Sequence, residues 1–100
     1  MVLSSFGATI VSVFLPDKNG NVEDCVLGFD TMAEYDRDGG LNPYFGCTVG
    51  RFANRIDNAQ FTLDGQTTNL DANNGKATLH GGLQGWHRRI WDSNIIENGV

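Results

Sequence analysis

Proline and cysteine are scarce in this chain, with two of each in 100 residues. The two cysteines, Cys25 and Cys47, make neither a disulfide framework nor a CxxC pair. With no secretory signal ahead of them, they read as reduced and buried in a cytosolic protein. Basic residues are also few, 7 Lys and Arg against 12 Asp and Glu, for a formal net charge of −5. A nucleic-acid binder draws much of its affinity from phosphate contacts and needs a basic surplus. Duplex nucleic acid and anionic membranes are therefore disfavoured as partners. No stretch approaches the ~20 consecutive apolar residues of a membrane span, and no charged-then-apolar segment opens the chain as a signal peptide does. What is present excludes disorder: 40% of residues are apolar and only 19% charged, with mixed sign. One hundred residues allow one domain at most.

Short strands dominate the pattern. Residues Ala8 to Leu15 (ATIVSVFL) are rich in β-branched and aromatic side chains. Alternation puts Thr9, Val11, Val13 and Leu15 on one face and Ile10 and Phe14 on the other, a strand covered on both sides. Pro16 and the Asn19-Gly20 pair break the run, and Val22 to Phe29 reads as a strand returning against the first. Thr31 and Glu34 have capping-box spacing, which predicts one or two helical turns over Thr31 to Arg37, ended by Asp38-Gly39-Gly40. Phe61 to Leu63, Asp64-Gly65 and Gln66 to Leu70 read as a two-residue hairpin. It sets Leu63 opposite Gln66, Phe61 opposite Thr68 and Ala59 opposite Leu70, half-buried on its apolar face. Ile90 to Glu97 reads as a further strand, and Asn98-Gly99 as a turn with only Val100 after it. The expectation is an all-β segment of antiparallel strands with one short helix, cut at both ends.

Three segments carry polar chemistry. In Asn42 to Ile56, Arg51, Asn54 and Arg55 interrupt an apolar run. Guanidinium and amide groups suit the vicinal hydroxyls of a sugar, while the plainer reading is two surface arginines paired with Asp57 or Asp64. In Leu79-His80-Gly81-Gly82, glycines beside an imidazole let another group approach the backbone. The plainer reading there is a turn histidine bonded to backbone. An esterase oxyanion loop needs a G-x-S-x-G elbow, and Ser93 is the only serine after position 80. His80, His87 and two distant cysteines do not make the three or four ligands of a zinc site, so no metal and no cofactor is expected. In Gly85 to Trp91, the tryptophans either stack on a sugar or form a core pair with a basic edge. His87, beside Arg88 and Arg89, reads as an exposed strand residue.

Taken together, NPYFG at 42–46, GRFANRI at 50–56, FTLDG at 61–65 and LHGG followed by GWHRRIW at 79–91 resemble the N-terminal part of the aldose 1-epimerase (galactose mutarotase) family. The preceding GATIVSVFLPDKNGNVEDCVLGFD is similar too, so the resemblance covers nearly the whole chain and implies that residues 1–100 are a partial domain of that family. It implies part of a large antiparallel β-sandwich that interconverts the α and β anomers of aldohexoses such as galactose and glucose. In that reaction a base takes the anomeric hydroxyl proton, an acid protonates the ring oxygen, and the ring opens and recloses. By motif position Asn54, Arg55 and His80 are implied to bind the sugar. The resemblance puts the general acid histidine and general base glutamate on segments downstream of LHGG. Neither His87 nor Glu97 sits in those motifs, so no catalytic residue is expected among these 100. Two other readings stay open, a non-catalytic carbohydrate-binding remnant and a purely structural β segment.

Overall fold

A computed structural model describes residues 1–36 and 43–97. Among them are eight short strands, all paired antiparallel, and one α-helix of 4 residues. The all-β expectation holds. The strands form four separate two-stranded ladders. β1 (Val2–Ser4) pairs with β2 (Thr9–Ser12), and β3 (Phe14–Pro16) with β4 (Val22–Asp24). β5 (Arg55–Ile56) pairs with β8 (Thr78–Leu79), and β6 (Gln60–Leu63) with β7 (Gln66–Asn69).

The hairpin β6–β7 follows the sequence closely. Leu63 faces Gln66, Phe61 faces Thr68, and the Leu70 N–H donates to the Ala59 carbonyl at 2.8 Å. Asp64 and Gly65 have φ of 50° and 75°, the positive values a tight hairpin turn demands. Its apolar face is not half-buried, however, because Phe61 and Leu63 are exposed.

The single strand expected over Ala8 to Leu15 is instead two. Ala8 has φ 45°, and the pairing breaks at Val13, whose N–H donates to the Asp24 carboxylate at 3.0 Å. β2 and β3 then join different ladders. Both faces are not covered either, since Ile10, Phe14 and Leu15 are exposed. The returning strand stops at Asp24, short of Phe29. The turn before it is organised by Asp17, whose carboxylate accepts the N–H groups of Asn19 and Asn21. Hydrogen bonds from Asn21 and Asn19 hold that carboxyl below its ordinary pKa. Ile90 to Glu97 is not a strand. Ile90 makes one bridge to Phe6 and Ile96 is a bridge residue too, but no named strand falls between them among the described residues. Neither cysteine is buried: both are free thiols, Cys25 exposed and Cys47 partly covered.

The helix forms over Met32–Tyr35, with the Glu34 carboxylate accepting from both the N–H and the hydroxyl of Thr31. Arg37, Asp38-Gly39-Gly40, Asn42 and the Asn98-Gly99 turn lie outside the described residues. Tyr35, 3% exposed, anchors a small aromatic group with Phe29 and Phe45. The residues Ser5 to Ile10 tie the middle of the chain to its C-terminal part. Gly7 donates to Arg89 and accepts from Thr48, and Ile10 and Ser5 bond to Gly46 and Trp91.

Apolar cover is thin. The radius of gyration is 16.8 Å, where ~13 Å is usual for a compact domain of this size. Accessible surface is 7341 Å², against roughly 5,600 Å² for a compact monomer of this mass. Leu3, Phe14, Val22, Phe52, Leu83 and Ile90 are all exposed.

Candidate functional site

The β5–β8 ladder is two residue pairs long, Arg55 with Leu79 and Ile56 with Thr78. Its continuation brings Asn54 opposite His80. The His80 N–H donates to the Asn54 carbonyl at 3.0 Å, and the Asn54 N–H donates to His80 Nδ1 at 2.9 Å. An Nδ1 that accepts leaves the ring proton on Nε2. His80 therefore presents Nε2–H as the nitrogen that can donate to a ligand.

Regular alternation would put Arg55 on the face opposite Asn54 and His80. Two left-handed residues break it, Asn54 at φ 65° and His80 at φ 52°. Asparagine and histidine are among the residue types that tolerate this region best. The Arg55 guanidinium consequently reaches back, Nη1 donating to the Asn54 side-chain oxygen at 3.0 Å. Its Nε donates to the Asn74 side-chain oxygen at 2.8 Å. Two of the five guanidinium N–H groups are thus spent on holding it, and Nη2 stays available. Neither arginine pairs with Asp57 or Asp64: Asp57 meets Lys76 at 3.3 Å, and Arg51 lies 5.8 Å from the Trp86 ring centroid. The three residues implied to bind sugar form one hydrogen-bonded group. Asn54 and Arg55 are exposed and His80 is half-buried.

Residues the sequence reading did not single out hold this group in place. Asn73 grips Leu79 twice, its side chain accepting the N–H at 2.7 Å and donating to the carbonyl at 3.0 Å. Thr78, buried, donates its hydroxyl to the Asp71 carbonyl at 2.7 Å. The Asn73-Asn74-Gly75 run is a turn signal just before LHGG and marks these positions. Gly81 and Gly82 follow with φ of 91° and 80°. A Cβ on Gly81 would collide with the Gly50 carbonyl, so only glycine allows the His80 loop to lie against Gly50.

Tyr44 packs edge-on against His80, with ring centroids 4.8 Å apart. Burial raises its phenol pKa, with the Cys47 thiol adding and a hydrogen bond with Asn73 opposing. Burial likewise raises the Cys47 thiol. His87 is not the exposed strand residue expected. It sits in a 3₁₀ turn, Trp86–Arg88, and is 8% exposed. The physical reason is that the turn rolls it inward against Tyr44 and sends Arg88 out to Asp36 at 2.9 Å. Trp86 and Trp91 form a T-shaped pair, centroids 5.6 Å apart. Both are only partly covered.

A wide cavity of about 1380 Å³ opens beside the site, lined by Arg55, Gly81 and Trp86 along with Phe52, Phe61 and Ile90. Asn54 and His80 are not in its lining. Its apolar walls mark it as an uncovered sheet face more than as a sugar cleft. No group of three or more His, Cys, Asp or Glu placed to hold a metal occurs among the described residues. No helix among them is long and apolar enough to cross a membrane.

Comparison with known proteins identifies the family. The family model described as aldose 1-epimerase matches residues 1–100. The galactose mutarotase of Bos taurus is 44% identical over 96 residues, which cover 96% of this chain and 27% of that protein. The aldose 1-epimerase of Escherichia coli K12 is 35% identical over 91 residues, covering 91% and 25%. Among solved structures, a GalM/aldose epimerase homologue from C. elegans superposes with a TM-score of 0.80 at 46% identity, covering 90% of this chain and 27% of that one. A galactose 1-epimerase from Lactobacillus acidophilus gives 0.67 at 30%, covering 88% and 24%. The chain spans about a quarter of the length of these curated relatives.

Proposed function

The chain belongs to the aldose 1-epimerase family, and from that membership we propose that it supplies the sugar-binding part of a mutarotase site. The substrate class is an aldohexose such as galactose or glucose, and the partner a small-molecule sugar. Asn54, Arg55 and His80 hydrogen-bond the sugar hydroxyls. The observation that carries this reading is the Asn54–His80 backbone–imidazole bond with Arg55 braced on Asn54. It leaves three donors on one hydrogen-bonded group, His80 Nε2–H, Asn54 Nδ2 and Arg55 Nη2. Neighbouring ring hydroxyls can accept from such a set.

The parent reaction is acid–base ring opening, which uses no cofactor. A base removes the proton of the anomeric hydroxyl while an acid protonates the ring oxygen. Rotation about the C1–C2 bond and reclosure then give the other anomer. General acid and base each contribute about 10²–10⁴-fold. His80, with Nδ1 engaged by Asn54, is placed to bind and orient. The proton-transfer pair belongs to the length of the relatives that this chain does not span, and the site is cytoplasmic. Polarimetry on freshly dissolved α-D-galactose tests the division of labour. Galactose bound by the chain, seen by saturation transfer, with a mutarotation rate equal to buffer is the expected result. A protein-dependent rate that vanishes in His80→Ala overturns it, by making His80 the catalytic acid.

A further inference from the structure

Asn-Gly pairs recur in this chain, and two of them, Asn19-Gly20 and Asn74-Gly75, lie on exposed turns among the described residues. Such a pair can modify itself, because glycine has no Cβ to shield its amide nitrogen from the side chain of the preceding Asn. Both glycines have positive φ, and a Cβ built on either meets nothing within 4 Å. Exposure and open space therefore do not separate the two pairs. Hydrogen bonding and charge do.

At the first pair the nitrogen that would attack is committed. The Gly20 N–H donates to the Asp17 carbonyl at 3.0 Å, and the Asp17 carboxylate accepts the Asn19 N–H at 2.7 Å. An anion at that place opposes the negative charge that develops on the Asn oxygen during attack. At the second pair the Gly75 N–H donates to no group among the described residues. The Asn74 side-chain oxygen accepts from Arg55 Nε at 2.8 Å, so a cation stands where the charge develops. A donor already aimed at a developing oxyanion lowers the barrier to forming it. The turn is closed by two backbone bonds between Asn74 and Ala77, of 3.1 and 3.0 Å. Exposed turns of this kind open locally at low cost, which lets the Gly75 nitrogen swing onto Asn74 Cγ.

We infer that Asn74-Gly75 is a self-modification site, where the Gly75 nitrogen attacks Asn74 Cγ while Arg55 holds the side-chain oxygen. The bond from Gly75 N to Cγ forms, the Cγ–Nδ2 bond breaks, and ammonia leaves with the Gly75 proton. Water then opens the cyclic imide. Attack at Cγ gives aspartate, and attack at the former main-chain carbonyl gives isoaspartate. No oxidant, reductant or cofactor enters. The modification itself is independent of the sugar-binding reading, and only its consequence for a ligand rests on that reading. Aspartate sets a carboxylate against the Arg55 guanidinium in place of an amide oxygen. Isoaspartate draws Cγ into the main chain. Either product changes the group that braces Arg55.

Peptide mapping by mass spectrometry follows both pairs in the intact chain, held in mildly alkaline buffer without sugar, beside a urea-unfolded sample. The native chain is expected to convert Asn74 severalfold faster than Asn19, giving both aspartate and isoaspartate. In urea the two rates are expected to converge. Arg55→Gln is expected to slow Asn74 severalfold and to leave Asn19 unchanged. Cross-strand contacts of the β6–β7 hairpin report that the variant is folded. Should Arg55→Gln lose those contacts, the wild-type comparison of native with unfolded chain still decides. Equal native rates at the two pairs, Asn19 leading, or the same ratio in urea overturns the inference. So does a folded Arg55→Gln that converts Asn74 at or above the wild-type rate. A galactose titration that fails would sink the sugar reading and leave these rates standing.

Discussion

The Asn54 N–H donates to Nδ1 of His80 at 2.9 Å, and the His80 N–H donates back to the Asn54 carbonyl at 3.0 Å. Twenty-six positions of sequence are closed by this pair. Backbone and imidazole are both used, so the ring orientation is tied to the ladder that β5 and β8 make. The tie fixes which ring nitrogen is free to meet a ligand.

His80→Asn separates the ligand role from the backbone role. Asparagine tolerates the left-handed φ of 52° at this position and keeps a side-chain acceptor. The expected result is an intact β6–β7 hairpin with no galactose-dependent change at Asn54 or Arg55, read from amide chemical shifts.

Asn74→Ala tests the brace on Arg55. Both side chains are exposed, so water replaces the lost bond and stability changes by no more than about 0.5 kcal/mol. Galactose affinity should nevertheless fall severalfold, because the guanidinium loses one of its two restraints. A titration of the variant against wild type checks it.

Gly81→Ala and Gly75→Ala make a matched pair. Both glycines have positive φ, 91° and 60°, but only at Gly81 would a Cβ meet another group, the Gly50 carbonyl. Gly75→Ala should cost about 1–2 kcal/mol, the left-handed backbone penalty. Gly81→Ala should add about 1–3 kcal/mol of overpacking. Urea unfolding midpoints of the two variants give the difference.

His87 makes stability pH-dependent. Burial, then the charge of Arg88, then that of His80 lower its pKa from the ordinary 6.5. Above 6.5 the ring is neutral in folded and unfolded chains alike. As pH falls below that value the unfolded chain takes up the proton first, so stability drops until the folded pKa is passed. Unfolding midpoints between about pH 7.5 and 5.5 should fall more steeply in wild type than in His87→Phe.

Local signals carried well from sequence to structure, and signals that depend on a partner did not. Asp64-Gly65 dictated its hairpin because two positive φ values leave few other choices. Thr31 and Glu34 closed their capping box within a single turn. The strand expected at Ile90 to Glu97 is absent because a strand needs a neighbour along its length, and the segment makes isolated bridges, Ile90 to Phe6 among them, rather than a ladder. Similarly, the alternation in Ala8 to Leu15 says nothing of the carboxylate of Asp24, which captures the Val13 N–H and splits the run. At the site, Asn54, Arg55 and His80 were legible as a motif. Tyr44, Asn73 and Asn74 were not, because their importance lies in what they touch. His87 was misread, since flanking arginines suggested exposure where the 3₁₀ turn faces it inward.

A D-galactose titration of the ¹⁵N-labelled chain, with the acyclic polyol galactitol as control, tests the sugar-binding claim most directly. Saturable shifts centred on the Asn54 amide, the Arg55 guanidinium and the His80 ring are expected, with none from galactitol. Absence of any galactose-dependent shift at these three residues, or shifts confined to the Trp86 and Trp91 pair, would contradict it.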